Sequence, residues 1–259
     1  MKRVTLLCGL LLALTATVAA AGPGVGLRWN SCIGDAGAIN KNFACNSNNG
    51  TNQLVGTFEL GADLPGVVGT EIVIDIASGG ATLPAWWQFR NAGTCRQAAL
   101  TMNAVNSALA VNCSDWASGG QSGGIGAYNV GTRGPNTSRV VAALAVAASG
   151  AADLTPGQEY FSFNMLITNV KTVGTGNCAG CSTPVCIVFN SINVVPPVAL
   201  GDGVKLSGPS NGTDSNFATW QGGAGVVVPP GPWTGGGTGC PAATPTTNKT
   251  WGQVKTLYR

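Results

Sequence analysis

The chain contains no histidine. That absence removes Ser-His-Asp and Cys-His nucleophilic catalysis, the His-Glu-x-x-His zinc motif and the imidazole that metal sites most often use. Chemistry with two carboxylates stays open, as in glycosidases. Charge is scarce as well: 9% of the 259 residues are charged, 13 basic against 10 acidic. Such a balance offers no electrostatic footprint for nucleic acid or an anionic membrane. With 44% hydrophobic residues, disorder driven by charge is excluded. Helical periodicity is almost missing from the body of the chain.

What is present begins with a compartment signal. The basic start "MKR" precedes the apolar run "VTLLCGLLLALTATV", and small residues before Ala21 or Gly22 suit cleavage. This pattern predicts a secretory signal peptide over 1–21, with no transmembrane segment after its removal. Cys8 follows Leu7 rather than a small residue, so it does not read as a lipid-attachment cysteine. Loss of Lys2 and Arg3 brings the mature chain close to +1.

Eight cysteines then stay: Cys32, Cys45, Cys95, Cys113, Cys178, Cys181, Cys186 and Cys240. An even number in an exported chain predicts structural disulfides. Neighbours in sequence suggest Cys32 with Cys45 and Cys95 with Cys113, and Cys240 is expected to reach Cys178 or Cys181. The Cys178-x-x-Cys181 pair also has zinc or redox spacing, with Cys186 and Cys240 as further thiols. It sits in a Gly, Thr and Pro loop rather than at a helix start, so disulfides are the expectation, with no metal and no cofactor.

Strand patterns fill residues 22–221. In "VVGTEIVIDIAS", Ile72, Ile74 and Ile76 share one face, while Glu71, Val73 and Asp75 share the other. "QLVGTFEL", "AWWQF", "RVVAALAVA", "YFSFNMLITNV", "CIVFNSINVV" and "NFATWQG" carry β-branched and aromatic residues between turn signals. Seven or more strands predict an all-β fold: an antiparallel β-sandwich of immunoglobulin-like or jelly-roll type, stapled by disulfides. The Gly- and Ser-rich stretch 114–138 reads as a long surface loop, and 222–248 as a Gly/Pro/Thr-rich linker.

Four groups are candidate sites. Glu71 and Asp75 lie about 13 Å apart along one strand face, beyond either glycosidase spacing, and read as a solvated face. Glu59 and Asp63 form a weaker pair. Asn211, Asp214 and Asn216, with Asp202 upstream, could offer oxygens to calcium, but EF-hand spacing is missing and only one acid lies in the stretch, so an Asx-type turn is the expectation. Trp86, Trp87, Trp116 and Tyr128 are the candidate ligand-binding residues: if exposed, they would stack on sugar rings. Adjacent Trp86 and Trp87 on a strand would face opposite sides. Sequons at Asn49, Asn112, Asn136, Asn211 and Asn248 matter only in a glycosylating host.

The chain closes on "PAATPTTNKTWGQVKTLYR". Thr250, Trp251, Gly252, Val254, Lys255, Leu257, Tyr258 and Arg259 match the ending T-W-G-x-[IV]-K-x-[LM]-Y-R. In this the chain resembles a group of secreted bacterial proteins, as it does more loosely in "LRWNSC" and "CIVFNSI". The resemblance implies export and carries no activity with it. Locally, Thr250 and Gln253 have capping-box spacing, and Trp251, Val254, Leu257 and Tyr258 form one stripe of a short C-terminal helix. Lys255 and Arg259 fall at its C-terminal end, where the helix dipole favours cations. About ten residues do not hold a helix alone, so the stripe must bind something. Either it docks on the protein's own sandwich, or it is a sorting tail read by export or surface-attachment machinery.

The sequence therefore describes a secreted or cell-surface structural or binding protein without catalytic activity. A carbohydrate-binding module is the alternative, and a carboxylate-based glycoside hydrolase the third reading.

Overall fold

A computed structural model describes residues 22–106, 112–210, 215–223, 226–228 and 238–240. The expectations for the signal peptide, for Asn211 and Asp214, and for the tail 249–259 lie outside the described residues, as does most of 222–248. The first half contains β1 (Gly24–Trp29), β2 (Asn40–Lys41), β3 (Thr51–Glu59), β4 (Leu64–Val67), β5 (Gly69–Ser78), β6 (Leu100–Asn103) and β7 (Ser122–Val130). The second half contains β8 (Thr137–Ala145), β9 (Ala152–Leu154), β10 (Tyr160–Thr168), β11 (Val185–Val195), β12 (Val204–Ser207), β13 (Phe217–Trp220), β14 (Val227–Val228) and β15 (Thr238–Gly239).

The expected all-β architecture is what forms: antiparallel sheets packed against each other and stapled by four disulfides. The smaller sheet runs β1-β3-β10-β6, and the larger runs β2-β13-β11-β5-β8-β7, with β12 also paired to β11. The β2–β13 pair is parallel. The alternation in β5 sets its inward face, and Ile72, Ile74 and Ile76 are fully buried. They join one core cluster with β10 and β11, whose residues are buried at seven of nine and nine of eleven positions because neighbours cover both faces. Phe163 of β10 packs edge-on against Phe189 of β11, ring centroids 5.0 Å apart. Gly56 makes room for that contact: a Cβ there would fall 2.2 Å from the Phe163 ring.

One end of the sandwich is closed by an aromatic knot. Phe43 stacks on Trp220 at 3.7 Å, and Trp86 and Trp87 lie 4.9 and 5.3 Å from the same ring. The Arg96 guanidinium sits 3.5 Å from the Trp86 ring centroid. It donates to the carbonyls of Trp86 (2.8 Å), Val170 (2.9 Å) and Thr168. Burial pulls the Arg96 pKa down to about 9, which leaves it charged at neutral pH. Its planar fork reaches three acceptors at once, which one ammonium cannot do. Arg96→Lys is therefore expected to destabilise the fold by about 2 kcal/mol, because buried carbonyls lose their donors. Denaturant unfolding measures this, and a loss below about 0.5 kcal/mol would show the fork to be replaceable.

Several expectations are corrected. The disulfides join Cys32–Cys113, Cys45–Cys181, Cys95–Cys178 and Cys186–Cys240. None links the neighbours suggested by sequence, because loops from distant segments converge at the sandwich ends. Cys240 reaches Cys186 in β11 rather than the Cys178–Cys181 loop. "AWWQF" is a 3-10 turn at Ala85–Trp87, not a strand, so Trp86 and Trp87 both point inward. The predicted loop 114–138 contains β7, held to β8 by nine-residue strands on each side. β4, which none of the strand patterns read from the sequence includes, pairs with β9.

Candidate binding surface on the large sheet

The outward face of the large sheet changes character along its strands. On β5 it carries Glu71, exposed, then Val73, half-buried, then Asp75 and Ala77, both fully buried. The cause is a cover over one end. Ala77, Cys186 and Val188 form a small apolar cluster with Cys240, flanked by Phe217 and Val226. The Cys186–Cys240 bond fastens this cover, and β14 pairs with β15 within it.

Beside the cover lies a buried polar cluster. Arg139 Nε and Nη2 donate to Asp75 Oδ1 and Oδ2, each at 2.7 Å. Asn190 Nδ2 donates to Asp75 Oδ2 as well. Asn190 is the extra residue where the β5–β11 register shifts between Phe189 and Ser191. A bulge re-aims a side chain, and here it turns the Asn190 amide onto the acid. Arg133 faces the same carboxylate. Desolvation lowers its pKa from the usual value, and Asp75 opposes that shift. So Asp75 is a structural anion inside a desolvated ion pair.

Beyond the cover the face opens into an apolar groove of about 480 Å³. Its walls come from five neighbouring strands: Gly126 of β7, Val141 and Ala143 of β8, Glu71 and Val73 of β5, Ser191 and Asn193 of β11, and Lys205 of β12. The groove thus crosses the sheet, spanning four inter-strand gaps or about 19 Å. Small residues make the hollow: Gly126 and Ala143 leave the space between the larger flanks. Val141 is 37% exposed on its floor. Glu71 stands at the rim, its Oε2 accepting from Asn193 Nδ2 at 3.0 Å.

The structure assigns other positions to the predicted site residues. Glu71 and Asp75 do share a strand face, but Asp75 is buried and ion-paired rather than solvated. Trp86, Trp87, Trp116 and Tyr128 are all buried, because they fill the core under the loops instead of lining a surface. Tyr128 donates to Ser138 Oγ at 2.7 Å and contacts the Trp87 carbonyl, and burial pushes its pKa well up. Asn216, the described member of the calcium candidate, donates to the Phe189 carbonyl at 3.1 Å, which is a strand-supporting role. Asp202 is exposed. Glu59 is buried in β3 and Asp63 exposed beyond it, so they share no site. All eight cysteines are in disulfides. Among the described residues no group of three His, Cys, Asp or Glu could hold a metal ion, and no helix is long and apolar enough to cross a membrane.

Apart from Glu71 and Val73 the groove residues escaped the sequence reading, yet one signal pointed to them. "RVVAALAVA" is apolar on both faces, which in a strand at the surface of a sandwich marks an outer face with a role. No protein-family profile matches the chain, and no curated protein matches it.

Proposed function

We propose that the protein is an exported, non-catalytic binding scaffold that holds a partner in the groove across its large sheet. The groove itself carries this reading: it is apolar, open and built on rigid strands, where a docking surface is best pre-organised. Four disulfides fit an oxidising compartment, in line with the signal-like start of the sequence. The chemistry-bearing groups next to the groove are spent on structure. Asp75 neutralises Arg139, and Glu71 accepts from the Asn193 amide at 3.0 Å. Val73, Val141 and Ala143 suit an amphipathic peptide better than a sugar ring, which takes a flat aromatic platform.

The test is saturable binding of an apolar reporter dye, 1-anilinonaphthalene-8-sulfonate, to residues 22–259 and to the same protein ending at residue 248. The expected result is one site in at least one form, removed by Val141→Glu. Val141 is partly exposed, so this change leaves the core intact. No site in either form, or a site untouched by Val141→Glu, overturns the reading. A polysaccharide or peptide turnover lost on Asp75→Asn or Glu71→Gln would return the protein to the enzymes.

A further inference from the structure

We infer that the groove is filled by residues 250–259 of the same chain. This rests on the reading of the groove as a docking surface and names its first occupant. Four observations converge on it. The first is position. Cys240 is fixed to Cys186, which lies on the same outward face of β11 as Asn193 in the groove wall. From Cys186 to Ser191 the strand advances about 17 Å. Nine residues, 241–249, separate Cys240 from the segment and reach about 30 Å when extended.

The second observation is size. A ten-residue helix is about 15 Å long, and the groove crosses about 19 Å of sheet. The third is chemistry. Trp251, Val254, Leu257 and Tyr258 form an apolar stripe that a helix of this length cannot leave in water and still persist. The groove offers Val73, Val141 and Ala143 as its floor, with the Gly126 hollow to receive a large ring. The fourth is charge. Glu71 at the rim, across the groove from Lys205, meets a segment whose charged side chains, Lys255 and Arg259, are both basic.

Tethering decides in favour of the same chain over another copy. A connection of nine residues holds the segment at a local concentration of about 1 mM. A segment that binds in trans with a Kd of about 100 µM then occupies its own groove about ten to one.

The experiment compares residues 22–259 with 22–248 and adds a synthetic peptide of residues 249–259. Dye binding is expected to be at least about tenfold weaker in the full chain than in the shortened one, in keeping with that occupancy. The peptide displaces dye from the shortened protein, and its Trp251→Ala version does so at least about tenfold less well, since a buried aromatic anchor dominates such contacts. Glu71→Lys also weakens the peptide. Equal dye binding in both forms, abolished by Val141→Glu, overturns the inference and leaves the groove reading standing. Absence of a dye site in both forms overturns both. Concentration-dependent growth in size of the full chain, lost on shortening, would place the segment in a second copy and overturn same-chain docking. Unchanged dye binding in Trp251→Ala with mislocalisation in the native host would give the segment to the export machinery instead.

Discussion

Reducing the disulfides is expected to unfold the protein outright at 25 °C. The bonds close loops whose ends are 81, 136, 83 and 54 residues apart. In chain-entropy terms each such closure removes about 4–5 kcal/mol of freedom from the unfolded chain. The loops overlap, so the four do not add fully. Half of their sum still matches the whole stability of an ordinary domain, about 5–15 kcal/mol. The tryptophans report the event, because Trp29, Trp86, Trp87, Trp116 and Trp220 are buried and their emission should shift to that of solvated indole. Intact-mass measurement under denaturing, non-reducing conditions should find eight hydrogens missing, as four bonds require. A native spectrum in strong reductant would refute the dependence. Four reactive thiols with stoichiometric zinc would refute the bonding scheme.

Asp75→Ala should be the most damaging single substitution on the large sheet. It leaves the Arg139 guanidinium, 11% exposed, without its counter-ion in a desolvated place. Breaking one side of a buried pair costs about 3–5 kcal/mol. For a chain of this size that corresponds to a Tm lowered by about 10 °C. The Asn190 amide, aimed at the acid by the bulge, loses its acceptor as well. Asp75→Leu combined with Arg139→Met should recover much of the loss, because an apolar pair needs no compensation. Scanning calorimetry of the three proteins decides it. A shift below about 2 °C for Asp75→Ala would mean that solvent reaches the pair and that the cover does not seal this end.

The strands were legible because burial imposes period two, and Ile72, Ile74 and Ile76 show it without ambiguity. The even cysteine count likewise pointed to bonds. Their partners were not legible, since Cys45 and Cys181 meet only once β2 and β13 have paired at the sheet edge. Trp86 and Trp87 misled for a local reason: a 3-10 turn after Pro84 sends both rings inward, where a strand would part them. The groove was the least legible feature. Its residues come from β7, β8, β5, β11 and β12, an order in space that is not the order in sequence. The burial of Asp75 was hidden for the same reason, because its cover arrives from Cys240, at the far end of the described chain.

The placement of the covalent links also sets how the protein responds to a pull. The shortest bonded route from residue 22 to residue 259 follows the backbone to Cys45, crosses to Cys181, continues to Cys186, and crosses again to Cys240. That route contains about 50 residues and extends to about 170 Å, against about 800 Å for the reduced chain. Under shear the oxidised molecule can therefore lengthen to only about a fifth of its contour before a covalent bond takes the load. Everything between Cys45 and Cys181, most of both sheets, lies off the line of force and need not unfold to transmit it.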